Sequence, residues 1–404
     1  MIIRRPRVAR AAVGVVAGMS LLGATAGVGS AAKAPAHLSH AKKAAGFAAT
    51  HFTTDLKGVC PSPLVVQTNW LPEADHGPLY ELIGAGGTMS QYSYEGPLGS
   101  TGIKLQILSG GPGDSYLPTA ATLYSGNPVA RVTPQLTMDS VETTLQLSNK
   151  FPTVAVDNLQ EHDPQMLMYD PARWKSLDSV PSLVKAAKAG AKFYVSGLTY
   201  TYVQYLIERG VPSSSFIGGY AGDLSKFVTG GGMVINQGYA DAEPYMLQHE
   251  TPAWGGKPVK YVFIHDLGLN DYPTAIQVRR DKLKAMAPCL SKLVPMIQHA
   301  TVDYITHPAV VNAVLAEFNP KYSASYWTTP IAASTYADKV MLSQGIVANS
   351  RGGTIGAFDM QRLATVDKVL FPIYERESPG TYVPNIKATA LATNQFIDPS
   401  IHLP

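Results

Sequence analysis

Cysteine is scarce in this chain, with Cys60 and Cys289 the only two in 404 residues. Neither has a His–Asn partner pattern, so a cysteine nucleophile is not indicated. Metal-binding signatures are missing as well: there is no His-Glu-x-x-His, and no His/Asp/Glu set stands at metal-ligand spacing in the sequence. No metal and no cofactor is therefore expected. Charge is sparse, at 15% Asp, Glu, Lys and Arg. With no basic stripe and no recognition motif, nucleic-acid binding is not indicated. Beyond the N-terminal region no apolar run reaches membrane-spanning length. Gly110-Gly111-Pro112-Gly113 lacks a following Gly-Lys-Ser/Thr and is not a phosphate loop. Gly113-Asp114-Ser115-Tyr116-Leu117 fails the nucleophile elbow at its last position.

The N-terminus carries the marks of export. Arg4, Arg5, Arg7 and Arg10 precede a run of apolar and small residues from Ala11 to about Val28, and Ser30-Ala31-Ala32 is a cleavage-type stretch. Residues 1–32 read as a signal peptide and 33–58 as a flexible leader. Without residues 1–32, which hold four Arg and no acid, the formal charge of +3 becomes −1. An exported chain with two cysteines favours one disulfide, Cys60–Cys289, over two buried free thiols. No cysteine lies near the cleavage region to carry a lipid anchor.

The fold class expected is α/β. Leu64–Thr68, Ile103–Leu108, Val129–Val132 and Thr153–Val156 read as strands separated by turn or helix signals, and Gln165–Tyr169, Lys192–Ser196 and Tyr261–His265 continue the pattern. From Asp281 onward the pattern is mostly helical. This layout predicts two α/β lobes with two crossings: lobe 1 from 59–156 and 267–404, lobe 2 from 157–266. In an open sheet, ligands bind at strand C-terminal ends. The loop that follows Leu64–Thr68 therefore supplies the first candidates: Asn69, Trp70, Asp75, His76 and Tyr80. Trp70 and Tyr80 can stack a flat ligand, and Asp75 and His76 can hydrogen-bond to a ring. Gly111 brings backbone N–H groups close. In the second lobe, Gly197, Thr199 and Thr201 form a strand-to-helix turn suited to an anionic group. Gln237, Glu243 and Tyr245 follow a later strand, with Glu243 placed to accept two hydrogen bonds from an aminopyrimidine-like edge. Asp139 and Glu142 are read as helix-capping acids.

Asn69-Trp70-x-Pro72-x-x-Asp75-His76-Gly77-x-Leu79-Tyr80 resembles the opening motif of the thiamine-precursor (hydroxymethylpyrimidine) binding family, part of the nitrate/sulfonate/taurine class of importer substrate-binding proteins. Gln237-Gly238-Tyr239-x-x-x-Glu243-Pro244-Tyr245 resembles the second-lobe signature of that class, and His265-Asp266-x-Gly268 with Tyr272 its return hinge. The resemblance spans roughly Pro61 to Leu370. It implies a type II periplasmic-binding-protein fold and an extracytoplasmic solute-binding protein of an ABC-type importer. Such a protein holds a pyrimidine/thiamine-precursor-like or sulfonate/nitrate-like ligand between its lobes, as a monomer that presents its closed form to membrane permease subunits. Glu73 and Asp75 depart from the family, which often has Asn there. The cysteine-rich iron motif of the superfamily's enzymatic branch is absent, so a non-enzyme is expected; the alternative is a secreted enzyme acting on a small heterocycle. Asp75 and Glu243, with no Lys or Arg beside them in sequence, favour a neutral or amine-bearing ligand.

Overall fold

The computed structural model describes residues 51–321 and 329–404; the signal peptide expected over 1–32 and the first part of the expected leader, 33–50, lie outside the described residues. All described residues fall within one compact unit, Ala45–Pro404. Among the described residues twelve strands form two sheets: β1 (Leu64–Gln67), β2 (Thr88–Met89), β3 (Ser93–Pro97), β4 (Lys104–Leu108), β5 (Leu136–Asp139), β6 (Thr153–Asn158), β7 (Gln165–Tyr169), β8 (Lys192–Tyr194), β9 (Phe216–Ile217), β10 (Val234–Tyr239), β11 (Lys260–Phe263) and β12 (Ala275–Arg279). The first sheet has the order β2-β3-β4-β1-β5-β12-β6 and the second β11-β7-β10-β8-β9. The chain leaves the first sheet after β6, builds the whole second sheet, and returns as β12. That strand inserts antiparallel between β5 and β6. This is a two-crossing, type II periplasmic-binding-protein-like α/β architecture.

The local reasons are legible in the residues. All four residues of β1, Leu-Val-Val-Gln, are buried, as a parallel strand covered on both faces requires. β1 pairs in parallel with β4 and β5, so their C-terminal ends open on one side. In the second sheet β10 pairs in parallel with β8 and antiparallel with β7. The C-terminal ends of β8 and β10 therefore share a side with the N-terminal end of β7, where the crossing arrives. The two sheets thus turn their loop-bearing ends toward the crossings.

Two expectations change here. Val129–Val132 is a turn closed by an isolated Asn127–Val132 bridge, because Asn127 Oδ1 accepts the N–H groups of Val129 and Ala130. The segment before residue 140 is the central strand β5, and Ser140, not Asp139, caps the helix Val141–Gln146 by accepting the Thr143 N–H. Asp139 instead accepts the Thr119 hydroxyl at 2.5 Å. Cys60 and Cys289 are bonded, with Cα atoms 4.9 Å apart, tying the start of the described chain to the helix Leu283–Thr306.

Arg362 fastens the two crossings together, beside the Thr274–Gln160 hydrogen bond at 2.7 Å. Arg362, on the helix Met360–Glu377, donates to Glu161 Oε1 at 2.9 Å on the first crossing. It also donates to the carbonyls of Asn270 (2.9 Å) and Asp271 (2.6 Å) on the return. Its guanidinium lies 3.9 Å from the centroid of Tyr272. The same helix reaches the second sheet's side through Arg376, which pairs with Glu208 at 2.8 Å.

Candidate functional site

On the first-sheet side, β1 ends at Gln67 and the chain turns through Asn69 to His76. Gly110 N–H donates to the Trp70 carbonyl, and Gly111 adopts φ +60° beneath the Trp70 ring, where an added Cβ would stand 3.2 Å from Cζ3. Glycine is thus needed for both conformation and clearance. The turn is pinned to β1 by Asn127, whose Nδ2 donates to Gln67 Oε1 (2.7 Å) and the Gly113 carbonyl (3.0 Å). Ser115 and Tyr116 then adopt φ +60° and +58°, unusual for residues with side chains. This holds Tyr116 out at 64% exposure, 6.3 Å from Trp70 between ring centroids.

His76 and Tyr80 lie behind this surface rather than on it. Tyr80 is buried and packs against Tyr94 and Phe318. It sits on the short helix Gly77–Glu81, which is pressed so closely onto Tyr304 that a Cβ at Gly77 would stand 2.2 Å from that ring. His76 is fully buried, with Nε2 3.0 Å from Asn69 Oδ1, 3.5 Å from Asp75 Oδ1 and 4.0 Å from Glu73 Oε1. Asp75 and Glu73 keep 17% and 22% of their side chains exposed.

On the second-sheet side, Glu243 is buried and both its oxygens are occupied from within. Tyr220 hydroxyl donates to Oε1 at 2.7 Å and Tyr239 N–H to Oε2 at 2.6 Å. It fixes the turn after β10 and holds no free edge for a pyrimidine. Gln237 Oε1 likewise accepts from Ser196 N–H (2.9 Å) and the Tyr202 hydroxyl (2.5 Å). Gly197 has the Tyr200 ring over it, Thr199 is exposed, and Thr201 is buried at the start of the helix Thr201–Glu208. The Thr201 side chain faces the Glu142 carboxyl, so this turn already has an acid beside it. Tyr245 packs against Tyr336, 5.5 Å between centroids, and Tyr336 hydroxyl donates to the Ala240 carbonyl at 3.3 Å, joining the helix Ile331–Ser343 to the end of β10.

Electrostatics set the two faces against each other. Asp75 is raised by burial, opposed by His76; His76 is lowered by burial, opposed by Asp75. Asp241, two residues past β10, is raised by burial and then by the charge of Asp75, with Glu243 and Asp163 adding to it. Asp163 is raised by burial to about 6. No Lys or Arg is among the groups that act on Asp75 or Asp241. Tyr239, also raised by burial, feels Asp163, Glu243 and Glu73. The charge of Asp75, after β1, thus reaches Asp241, after β10. Sequence reasoning did not single out Asp241, Asp163, Tyr116, Tyr200 or Tyr239 as site residues. Two acids in Asp241-Ala242-Glu243 directly after a strand were the available signal.

No protein-family model matches the chain, and no curated protein matches it. Solved structures resemble it at low identity. The periplasmic nitrate-binding protein NrtA from Synechocystis PCC 6803 aligns at 12% identity and TM-score 0.47, over 82% of this chain and 85% of that one. The Candida albicans CA3427 gene product, described as having the generic periplasmic binding protein fold, aligns at 11% and 0.46, over 84% and 98%. The periplasmic aliphatic sulphonate binding protein SsuA from Escherichia coli aligns at 10% and 0.44, over 81% and 94%. With TM-scores below 0.5 these likenesses carry no argument about the ligand. Among the described residues no helix is long and apolar enough to cross a membrane.

Proposed function

We propose that this chain is the extracytoplasmic solute-binding component of an ABC-type importer, and that it captures a small cationic or amine-bearing ligand between its two lobes. The observation that carries the ligand class is the gathering of acids after β1 and β10: Asp241 feels the charge of Asp75, Glu243 and Asp163, and the basic group beside Asp75 is His76, 3.5 Å away. Like charges brought together in a partly buried place are unfavourable until a cation or protons compensate them. Trp70 and Tyr116 on one side, with Tyr200 and Tyr239 partly exposed on the other, supply aromatic faces that attract a cation. The same field repels sulfonate or nitrate. An aminopyrimidine, a thiamine-like cation or a polyamine fits this chemistry.

The importer role is supported by the two-crossing architecture and by the motifs at 69–80, 237–245 and 265–272. Lobe closure about the crossings would bring the Asp241 loop onto the Asp75 loop and create the surface that permease subunits read. The test is a thermal-shift panel of aminopyrimidines, thiamine and polyamines against taurine, alkanesulfonates, nitrate and bicarbonate. A ligand at a hundredfold its Kd adds about 2.7 kcal/mol. The expected result is a midpoint rise with the cations alone, abolished by Asp75→Asn. Stabilisation by the anions alone would overturn the ligand class.

A further inference from the structure

We propose that Glu73, Asp75 and His76 form a binding site for a divalent transition-metal ion of the zinc class. The inference rests on the cation-binding reading above and names the cation's class. It departs from the sequence expectation of no metal, because Glu73-x-Asp75-His76 matches no standard ligand spacing.

Three observations carry it. One donor atom from each of Glu73, Asp75 and His76 lies within 4.8 Å of the others. Three oxygens, from Asn69, Asp75 and Glu73, converge on the single nitrogen His76 Nε2 at 3.0, 3.5 and 4.0 Å. One N–H can serve only one of them well, and Asp75 Oδ1 is shielded from solvent without a hydrogen-bond donor among the described residues. An unsatisfied buried carboxylate oxygen is costly unless something positive completes it. The imidazole itself is fully buried, so its direction is fixed.

The donor types and spacing suit the ion. Imidazole nitrogen and carboxylate oxygens bind zinc at about 2.0–2.2 Å, which places tetrahedral donors about 3.3 Å apart. Nε2 and Asp75 Oδ1 already stand near that spacing, and Glu73 needs a small side-chain rotation. Metal binding uses the Nε2 lone pair and puts the ring proton on Nδ1, which has no partner among the described residues, while Asn69 Oδ1, 3.0 Å from Nε2, turns aside or joins the ion as a further oxygen donor.

The test uses the purified full chain, stripped with chelator, and titrates Co²⁺ by visible absorption and Zn²⁺ by calorimetry. The expected result is one ion per chain with a tetrahedral-type Co²⁺ band. Asp75→Asn and Glu73→Gln should each weaken binding by more than the 10–100-fold typical of losing an outer partner, with the unfolding midpoint of the metal-free protein retained. These variants avoid the buried His76, whose removal risks the fold; His76→Gln adds a check only if it folds. Absence of ion binding while an organic amine still stabilises the protein would overturn the metal site and leave the cation-capture reading standing. Absence of both would overturn the two together. Binding that Asp75→Asn and Glu73→Gln leave unchanged would place the ion elsewhere and also overturn the site.

Discussion

The crossings and the cleft both gather buried acids, and they treat them differently. Glu161 at the crossing, raised by burial to about 7, has the Arg362 guanidinium 2.9 Å away, with two backbone carbonyls filling the rest of that fork. Asp75 has His76 beside it at 3.5 Å, and Asp241 feels the acids Asp75, Glu243 and Asp163. Charge that the fold compensates internally serves architecture. Charge that it leaves exposed to its own kind, beside exposed aromatic rings, is placed for something brought from outside.

The largest expected effect lies on the compensated side. Arg362→Ala should destabilise the protein by about 3 kcal/mol, the low end for breaking a buried pair because Glu161 can take a proton. Denaturant unfolding measures it, and a loss under 1 kcal/mol would break the contrast. Asp75→Asn and Asp241→Asn should do the reverse. They should leave unliganded stability at pH 7 unchanged or raised, while lowering cation affinity tenfold or more, about 1.4 kcal/mol.

A pH titration sharpens the contrast further. Asp114, buried at the turn after β4, is raised by burial from 3.8 to about 7. An acid raised in the folded state holds its proton there but not in the unfolded chain, so its contribution is present below pH 4 and lost as pH rises through 7. Asp114→Asn should therefore remove a fall in stability on the order of 2 kcal/mol between pH 4 and 8. The midpoint of the variant should exceed that of the parent at pH 8 and match it at pH 4. The buried histidines work in the opposite direction: His265, lowered by burial to about 4, gives stability that grows from pH 4 to 6.5 and is unaffected by this substitution. The smallest effect is at the rim, where Tyr116→Ala should cost about 1 kcal/mol in cation binding with no change in stability.

Much of this frame was legible in the residues. Leu64-Val65-Val66 declares a covered strand, and the two cysteines of a chain bearing an export-type N-terminus declare their bond. The two-crossing plan followed from strand and helix signals that stop and start again near residue 158. The roles of individual side chains were less legible, because they depend on which backbone N–H groups lie nearby. Glu243 reads as an open acceptor in sequence, and only the return of Tyr239 N–H and the Tyr220 hydroxyl onto it makes it internal. His76 reads as a ligand-facing histidine in a polar loop, yet the packing of Gly77 against Tyr304 draws it under. The charge of Asp75 acting on Asp241, more than 160 positions away in the chain, is not legible in either segment alone.

The most direct test of the central claim is a double-mutant cycle on Asp75 and Asp241, read by calorimetry with whichever cation stabilises the protein most. A ligand held between the lobes requires that each single substitution weaken binding and that the pair together weaken it by less than the sum, because both acids act on one bound charge. An affinity untouched by Asp241→Asn would place the ligand on the first lobe alone and contradict capture across the crossings.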